Sequence, residues 1–242
     1  MTAGARASRC CAMTMPSSLA ERIVFDLDDT LYLERDFAFS GYRAAGDWLE
    51  ARGAVPPGLG ARFAGACREL FAQGERRAIF DRAAQELGLD PELVPDLIEL
   101  YRSHMPRIGL CPDAVRYLGG HRGFALISDG VEQTQRNKIA ALGLQAHFDL
   151  VLPTGQWGAG YGKPHPRAYE LVAAASGGRT CVYVADNAAK DFLAPNRMGW
   201  ITVQILRPGR VHEGSPPTPD HAAGAVIGSL DQLDQAIAAL RG

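Results

Sequence analysis

The sequence lacks the features of several protein classes, beginning with apolar runs long enough to span a lipid bilayer. It contains only five cysteines, scattered and without the close spacing of metal ligands, so reduced thiols in a cytoplasmic protein are the favoured interpretation. The formal net charge of −2 gives no indication of a nucleic-acid or other polyanionic partner. No internal repeat or low-complexity domain is visible. These absences favour a globular protein, for which 47% hydrophobic and 21% charged residues are ordinary values.

Residues 1–20 lack an apolar block, although they carry some positive charge. They are therefore a poor secretory signal. We expect a disordered tail there, or a start codon assigned too early, with Met13 or Met15 as the alternative first residue.

The most informative segment is FDLDDTLY, residues 25–32, in which Asp26 and Asp28 lie two positions apart. The apolar residues 23–25 before the pair predict a buried parallel strand, and ligands of open α/β sheets lie at the carboxyl ends of strands. Because residues i and i+2 of a strand point the same way, we expect both carboxylates to face one pocket. They repel each other unless a cation lies between them or one of them holds a proton. The first arrangement suits a hard cation beside a phosphate, and the second suits an acid next to a nucleophile.

The remaining chain divides into a helical stretch and an alternating stretch. Residues 36–107 contain no strand signal and predict four amphipathic helices, which form a small helical module inserted after the first strand. From residue 108 onwards strands and helices alternate, with Ser229 as the predicted cap of the last helix. Such alternation predicts a parallel sheet with helices on both faces, an α/β fold.

Four segments place polar residues where consecutive predicted strands end. They are Asp26 and Asp28 after the first strand, Ser128, Asp129 and Gly130 after the second, Lys163 after the third, and Asp186 and Asp191 after the fourth. One strand-end aspartate alone more often caps a helix or a turn, so the order and spacing of all four segments carry the argument. Several carboxylates that share a pocket need a cation, because Lys163 alone cannot balance them.

In these segments the chain resembles the haloacid dehalogenase-like hydrolase superfamily, in its phosphatase branch with a helical cap between the first two motifs. The matching motifs FDLDDTLY, ISDG, GKPHP and VADNAAKDF occur in the family's order, and the resemblance covers roughly residues 21–240. It implies a Rossmann-like core of residues 21–35 and 108–242 that carries a small all-α cap at residues 36–107. The implied activity is hydrolysis of a small phosphomonoester, such as a sugar phosphate or a nucleotide-like compound, with Mg²⁺ as the cofactor. A monomer or homodimer without a nucleic-acid or membrane partner is expected.

The resemblance also implies a role for each matching residue. Asp26 is expected to attack phosphorus and form an aspartyl-phosphate, while Asp28 is the general acid for the leaving alcohol and then the base for water. Relatives that attack carbon do not need an acid at the second position, so Asp28 favours transfer of a phosphoryl group from oxygen.

The expected phosphate and metal ligands follow in the same way. The hydroxyl of Ser128, the backbone N–H of Asp129 and the ammonium of Lys163 are expected to bind the phosphoryl group. The expected Mg²⁺ site consists of Asp26, Asp28 through its backbone carbonyl, Asp186 and, in support, Asp191. Two positions depart from the usual motifs. Ala185 replaces a glycine and Ser128 a threonine, but all the acids and the hydroxyl are kept.

Several basic residues have both a structural and a functional interpretation. Arg35, Arg43 and Arg107 flank the predicted cap, where helical arginines are usually solvated, although a cap-borne arginine would suit an anionic substrate. Lys190 is either a surface residue or a partner of the neighbouring Asp191, and pairing with Asp191 is the favoured prediction.

Two rival functions use the same motifs. A phosphomutase would share the nucleophile and the acid but would return the phosphoryl group to a sugar. A non-catalytic binding protein would keep the fold without turnover, although the intact set of acids and Lys163 argues against it.

Overall fold

The structure, a computed structural model, describes residues 21–120, 123–213 and 215–242. The predicted disordered tail of residues 1–20 lies outside the described residues. In the described part, a parallel sheet has the strand order β3-β2-β1-β4-β5-β6. Its strands are β1 (Arg22–Phe25), β2 (Phe124–Ser128), β3 (Phe148–Pro153), β4 (Cys181–Ala185), β5 (Ile201–Ile205) and β6 (Ala225–Ile227). The strand that precedes Asp26 therefore lies inside the sheet, between β2 and β4.

Helices cover this sheet and form a separate group after β1. They are α1 (Glu34–Ala51), α2 (Leu59–Ala72), α3 (Ile79–Leu87), α4 (Val94–Ser103), α5 (Pro112–Gly120), α6 (Glu132–Ala141), α7 (Arg167–Ala175), α8 (Leu193–Arg197) and α9 (Leu233–Arg241). Within the three described ranges, none of the helices combines the length and the apolar character that crossing a membrane requires.

The two faces of the sheet carry different core clusters, because successive strand residues point to opposite sides. On one face Phe25 and Leu126 pack with residues of α5, α6 and α9. On the other face Val24 and Tyr183 pack with residues of α7 and α8. β1, β2 and β4 are buried along their whole length, as strands covered on both faces are. The structure confirms the predicted α/β fold.

Two elements near the core differ from, or refine, the sequence prediction. The sequence pattern gave no prediction of α5, since its nine residues begin at a proline and end in Gly119 and Gly120, which usually mark a break. The last helix begins as predicted with a Ser229 capping box, but its first turn is a 3₁₀ turn at Leu230–Gln232.

The helices α1 to α4 pack around their own apolar cluster, which includes Leu49, Phe63 and Leu97. The chain leaves the core and returns to it at one point, where the backbone N–H of Cys111 donates to the carbonyl of Leu31 at 2.9 Å. These contacts support a helical cap at residues 36–107, whose exact boundaries stay a prediction.

The contact between α1 and α2 is closest at a pair of glycines, Gly46 and Gly60. A Cβ at Gly46 would lie 2.2 Å from the backbone oxygen of Gly60, so the helices would have to separate. We expect Gly46→Ala to lower the free energy of unfolding by about 1–3 kcal/mol, measured by urea denaturation. Gly65→Ala on α2 is the matched control, because a Cβ there meets nothing within 4 Å. Equal stability of the two variants would contradict this account of the packing.

Candidate active site

The turn after β1 brings Asp26 to the end of the sheet. The Asp26 backbone N–H continues the sheet by donating to Val184 at 2.9 Å, and its side chain is 4% exposed. Asp29 has a left-handed φ of 51°, which is unusual for a residue with a side chain. Its carboxylate holds this conformation by accepting the backbone N–H groups of Glu34 at 2.9 Å and Val211 at 2.6 Å. Thr30 supports the turn through a 3.4 Å hydroxyl contact to Asp26.

A buried ion pair between Arg207 and Asp113 also holds this turn in place. Arg207 follows β5 and donates from Nε to the backbone carbonyl of Thr30 at 2.7 Å. Its Nη1 donates to both oxygens of Asp113 on α5, at 2.9 and 3.0 Å. The Asp113 carboxylate also accepts the backbone N–H of Leu230 at 2.7 Å. One buried carboxylate therefore joins α5, the segment after β5 and the last helical region.

Three carboxylates from two strand ends meet at the site: Asp26 after β1, and Asp186 and Asp191 after β4. One oxygen from each lies within 4.8 Å of the others, and all three residues are buried. Burial, reinforced by the neighbouring acids, raises the pKa of Asp186 to about 9. Burial likewise raises the pKa of Asp26 to about 6, although Lys163 opposes the shift. The cluster is thus short of positive charge.

The donor set of this cluster fits a hard divalent cation. Carboxylate oxygens are the preferred ligands of such ions. Among the described residues, the buried Oδ2 atom of Asp186 has no hydrogen-bond partner, which is costly for a carboxylate oxygen. A cation held by Asp26, Asp186 and Asp191 would satisfy this atom and relieve the repulsion between the acids.

Lys163 is the buried cation of the site. Its ammonium contacts Oδ1 of Asp26 and lies 2.6 Å from Oδ1 of Asp191, with no side-chain exposure. Burial alone would lower the pKa of Lys163, but Asp191 and Asp26 outweigh it and raise that pKa well above its ordinary value. The lysine is therefore charged, and it fixes the position of the candidate nucleophile.

Tyr183 on β4 is a site residue that the sequence reasoning missed. Its fully buried hydroxyl accepts from Lys163 Nζ at 3.1 Å and donates to Asp191 Oδ1 at 3.2 Å. The signal in the sequence is a hydroxyl-bearing residue inside an apolar strand that ends at a candidate ligand. A buried tyrosine hydroxyl needs a partner, and here Lys163 supplies a donor and Asp191 an acceptor.

The end of β2 supplies Ser128 and Asp129. The Ser128 hydroxyl donates to Oε1 of Gln135 at 2.8 Å. The Asp129 carboxylate accepts from the Thr154 hydroxyl at 2.8 Å and the Lys163 backbone N–H at 3.1 Å. It also lies 3.3 Å from Lys190 Nζ. Lys190 is therefore part of the site, but its ion-pair partner is Asp129, and the predicted pairing with Asp191 is wrong.

Asp28 lies beside this cluster, and its side chain is not one of the three grouped carboxylates. Its Oδ1 atom accepts from Lys138 Nζ at 2.7 Å and also from the hydroxyl of Tyr32. Burial by itself would raise the pKa of Asp28, but Lys138 and Tyr32 outweigh it and lower that pKa. Neither Lys138 nor Tyr32 was identified from the sequence.

The basic residues near the cap lie apart from the carboxylates. Arg35 is 3.8 Å from Asp36 in an exposed ion pair, and Arg43 and Arg107 are exposed. Arg43 and Arg107 line a cavity of about 620 Å³, whose walls include none of the site acids. Ala185 is fully buried at the end of β4, where the apolar cluster around Tyr183 accommodates its methyl group.

The chain is similar in sequence to known proteins. Residues 21–199 match the family model described as haloacid dehalogenase-like hydrolase. A phosphoserine phosphatase of Thermus thermophilus is 33% identical over 196 residues, which cover 77% of this chain and 76% of the relative. A glyceraldehyde 3-phosphate phosphatase of Methanocaldococcus jannaschii is 28% identical over 201 residues, covering 76% of this chain and 84% of that protein.

The fold is also found among solved structures. The L-2-haloacid dehalogenase of Xanthobacter autotrophicus superposes with a TM-score of 0.55 at 20% identity, covering 90% of this chain and 98% of the dehalogenase. At this identity the likeness shows the shared fold alone.

Proposed function

This chain belongs to the haloacid dehalogenase-like hydrolase family, and we propose that it is a Mg²⁺-dependent phosphatase of small phosphomonoesters. The observation that carries the proposal is the position of Asp26. Its carboxylate lies at a strand end, is held by the Lys163 ammonium and forms a group with Asp186 and Asp191. A nucleophilic carboxylate beside a cation site is what phosphoryl transfer through an aspartyl-phosphate requires.

In the proposed first step, an Asp26 oxygen attacks phosphorus and the bond from phosphorus to the ester oxygen breaks. The departing alkoxide takes a proton from the Asp28 carboxyl, so a neutral alcohol leaves. Lys138 and Tyr32 lower the pKa of Asp28 in the free site, and the negative charge of the bound phosphate opposes them and favours the protonated form that this step uses. In the second step, the Asp28 carboxylate removes a proton from water as this water attacks the phosphorus of the aspartyl-phosphate. The bond from phosphorus to the Asp26 oxygen then breaks, so phosphate leaves and the Asp26 carboxylate is regenerated.

The proposed phosphate site uses groups that surround Asp26. Lys163 neutralises the phosphoryl oxygens and the nucleophile, while Ser128 and the backbone N–H of Asp129 are available to donate to the phosphoryl oxygens. Asp26, Asp186 and Asp191, with the backbone carbonyl of Asp28, would hold Mg²⁺. The ion would supply charge neutralisation at the phosphoryl group.

We propose small, compact substrates. The two relatives are described as phosphatases of phosphoserine and of glyceraldehyde 3-phosphate, both three-carbon phosphomonoesters. The helical cap proposed at residues 36–107 would close over such a substrate and exclude water. A cytoplasmic location is proposed as well, and the unpaired Cys67, Cys111 and Cys181 are consistent with a reducing compartment.

The first experiment measures phosphate release from a panel that includes phosphoserine, glyceraldehyde 3-phosphate, sugar phosphates and nucleoside monophosphates. We expect release from at least one class with Mg²⁺ and loss of that release with EDTA. Thermal unfolding of the EDTA-treated protein should shift upward when Mg²⁺ is added, because the ion binds only the folded cluster. An absence of release from the whole panel would overturn the phosphatase assignment. Isomerisation that needs a bisphosphate activator would support a mutase in its place.

A further inference from the structure

The helix α6, which follows the Ser128 strand end, carries a lysine that the proposed mechanism does not use. Lys138 is 4% exposed, and its ammonium donates to Asp28 Oδ1 at 2.7 Å. The ammonium also lies 4.4 Å from the ring centroid of Phe37 on α1. An ammonium buried this deeply loses its hydration, so the contact with Asp28 is its main compensation.

Both donors to Asp28 bind the same oxygen atom. The hydroxyl of Tyr32 and the ammonium of Lys138 each donate to Oδ1. Within the described residues, no hydrogen bond to Oδ2 is found, and the Asp28 side chain remains 22% exposed against 5% for Lys138. The Oδ1 atom of Asp28 is thus fixed by two donors of the protein, while the Oδ2 atom is left to exchange a proton with a substrate.

The helix that carries Lys138 is itself held at several points. Gln135, one turn earlier, accepts the hydroxyl of Ser128 at 2.8 Å. Thr134 donates to the backbone carbonyl of Arg102 at 2.7 Å, and Asn137 donates to that of Ser103 at 2.8 Å. These carbonyls belong to the last turn of α4, which has no partners for them within its own helix. α6 is therefore anchored to Ser128 at the end of β2 on one side and to the last turn of α4 on the other.

We infer that Lys138 is a positioning residue for Asp28, which holds Oδ1 so that Oδ2 meets the leaving oxygen of the substrate. The inference rests on the proposed phosphatase function and adds a residue to it. Lys138 touches neither the phosphoryl group nor the three grouped carboxylates. Its loss should therefore impair the proton transfers of Asp28 and leave the attack of Asp26 on phosphorus almost intact.

The test compares two substrates whose leaving groups differ in their need for a proton. The first substrate is an alkyl phosphate found active in the panel, whose alkoxide leaving group needs a proton from Asp28. The second is p-nitrophenyl phosphate, whose leaving group is a stable phenolate that needs no proton. Lys138→Met keeps the length of the side chain and removes its charge. We expect the first-turnover rate of alcohol release from the alkyl phosphate to fall about 10²-fold, the lower end of the contribution of a general acid, while the first-turnover rate of p-nitrophenolate release falls less than about five-fold. These rates exclude the second step, in which Asp28 acts as the base for both substrates. KM for the alkyl phosphate should change little.

Two further variants keep the test decisive if Lys138→Met folds poorly. Tyr32→Phe removes the second donor to Oδ1 and should show the same selective loss, with a smaller amplitude. Arg136→Gln, on the exposed face of α6 where Arg136 pairs with Glu132, should leave both substrates unaffected. An equal fall for the two substrates in Lys138→Met and Tyr32→Phe, or no fall in either, would overturn the inference. A wild-type protein that releases no phosphate would instead refute the proposed function.

Discussion

Replacing Asp26 by asparagine is expected to reduce phosphate release by about 10⁴-fold or more, since loss of a nucleophile of a cooperating catalytic set has effects of this order. The amide has nearly the shape of the carboxylate, so the change removes the nucleophilic oxygen without leaving a cavity. The measurement is a steady-state assay with the best substrate of the panel and Mg²⁺. Residual activity within ten-fold of the wild type would show that Asp26 is not the nucleophile.

The control for this variant must separate lost chemistry from lost structure. Asp26→Asn also removes one of the two carboxylate partners of the buried Lys163 ammonium, so its far-UV circular dichroism and unfolding midpoint should be measured beside its activity. Asp81→Asn makes the same atomic change at an exposed position on α3, remote from the carboxylate cluster. We expect Asp81→Asn to keep full activity.

The second large effect is expected on stability. Asp113→Ala leaves the buried Arg207 guanidinium without its carboxylate and the Leu230 N–H without its acceptor. Removing one partner of a buried ion pair costs about 3–5 kcal/mol in the free energy of unfolding. Urea denaturation at pH 7 measures this loss. A change below about 1 kcal/mol would mean that water or another acceptor replaces the carboxylate.

The contribution of Asp113 to the free energy of unfolding should also depend on pH, and it should decrease on acidification. Burial would raise its pKa, but the Leu230 N–H and Arg207 outweigh burial and hold the pKa below its ordinary value of 3.8. A carboxyl group with a lowered pKa in the folded protein stabilises the fold above its unfolded pKa and loses that contribution as the pH falls through its folded value. The difference in unfolding free energy between wild type and Asp113→Ala should therefore be constant near neutral pH and shrink below about pH 3.8. A difference that grows on acidification would contradict the assigned direction.

Much of the fold could be predicted, because its signals are local. Buried parallel strands are short apolar runs, and helices on the cap carry an apolar stripe. The segment 23–28 therefore identified both the central strand and the two acids that follow it. The meeting of Asp26 with Asp186 also followed from topology, since parallel strands end at the same edge of a sheet.

The residues that escaped prediction depend on contacts between distant parts of the chain. Lys138 is 110 positions from Asp28, and a lysine in a polar helix ordinarily indicates a solvated face. Tyr183 reads as an ordinary core residue until Lys163 and Asp191 are placed beside its hydroxyl. The pairing of Lys190 was wrong for the same reason, because proximity in sequence favoured Asp191 whereas the fold brings Asp129 nearer.

The hydrogen bond between Cys111 and Leu31 has a consequence for engineering and for the divergence of relatives. This hydrogen bond joins the two segments that connect the helices α1 to α4 to the sheet, so both connections lie at almost the same place. An inserted module with adjacent ends can be exchanged for another of different length without moving the strands on either side. Chimaeras joined at Leu31 and Cys111 would therefore carry a foreign cap on an unchanged set of acids, provided that the new module replaces the Tyr32 hydroxyl that donates to Asp28 and supplies partners for the side chains of α6 that now hold α4.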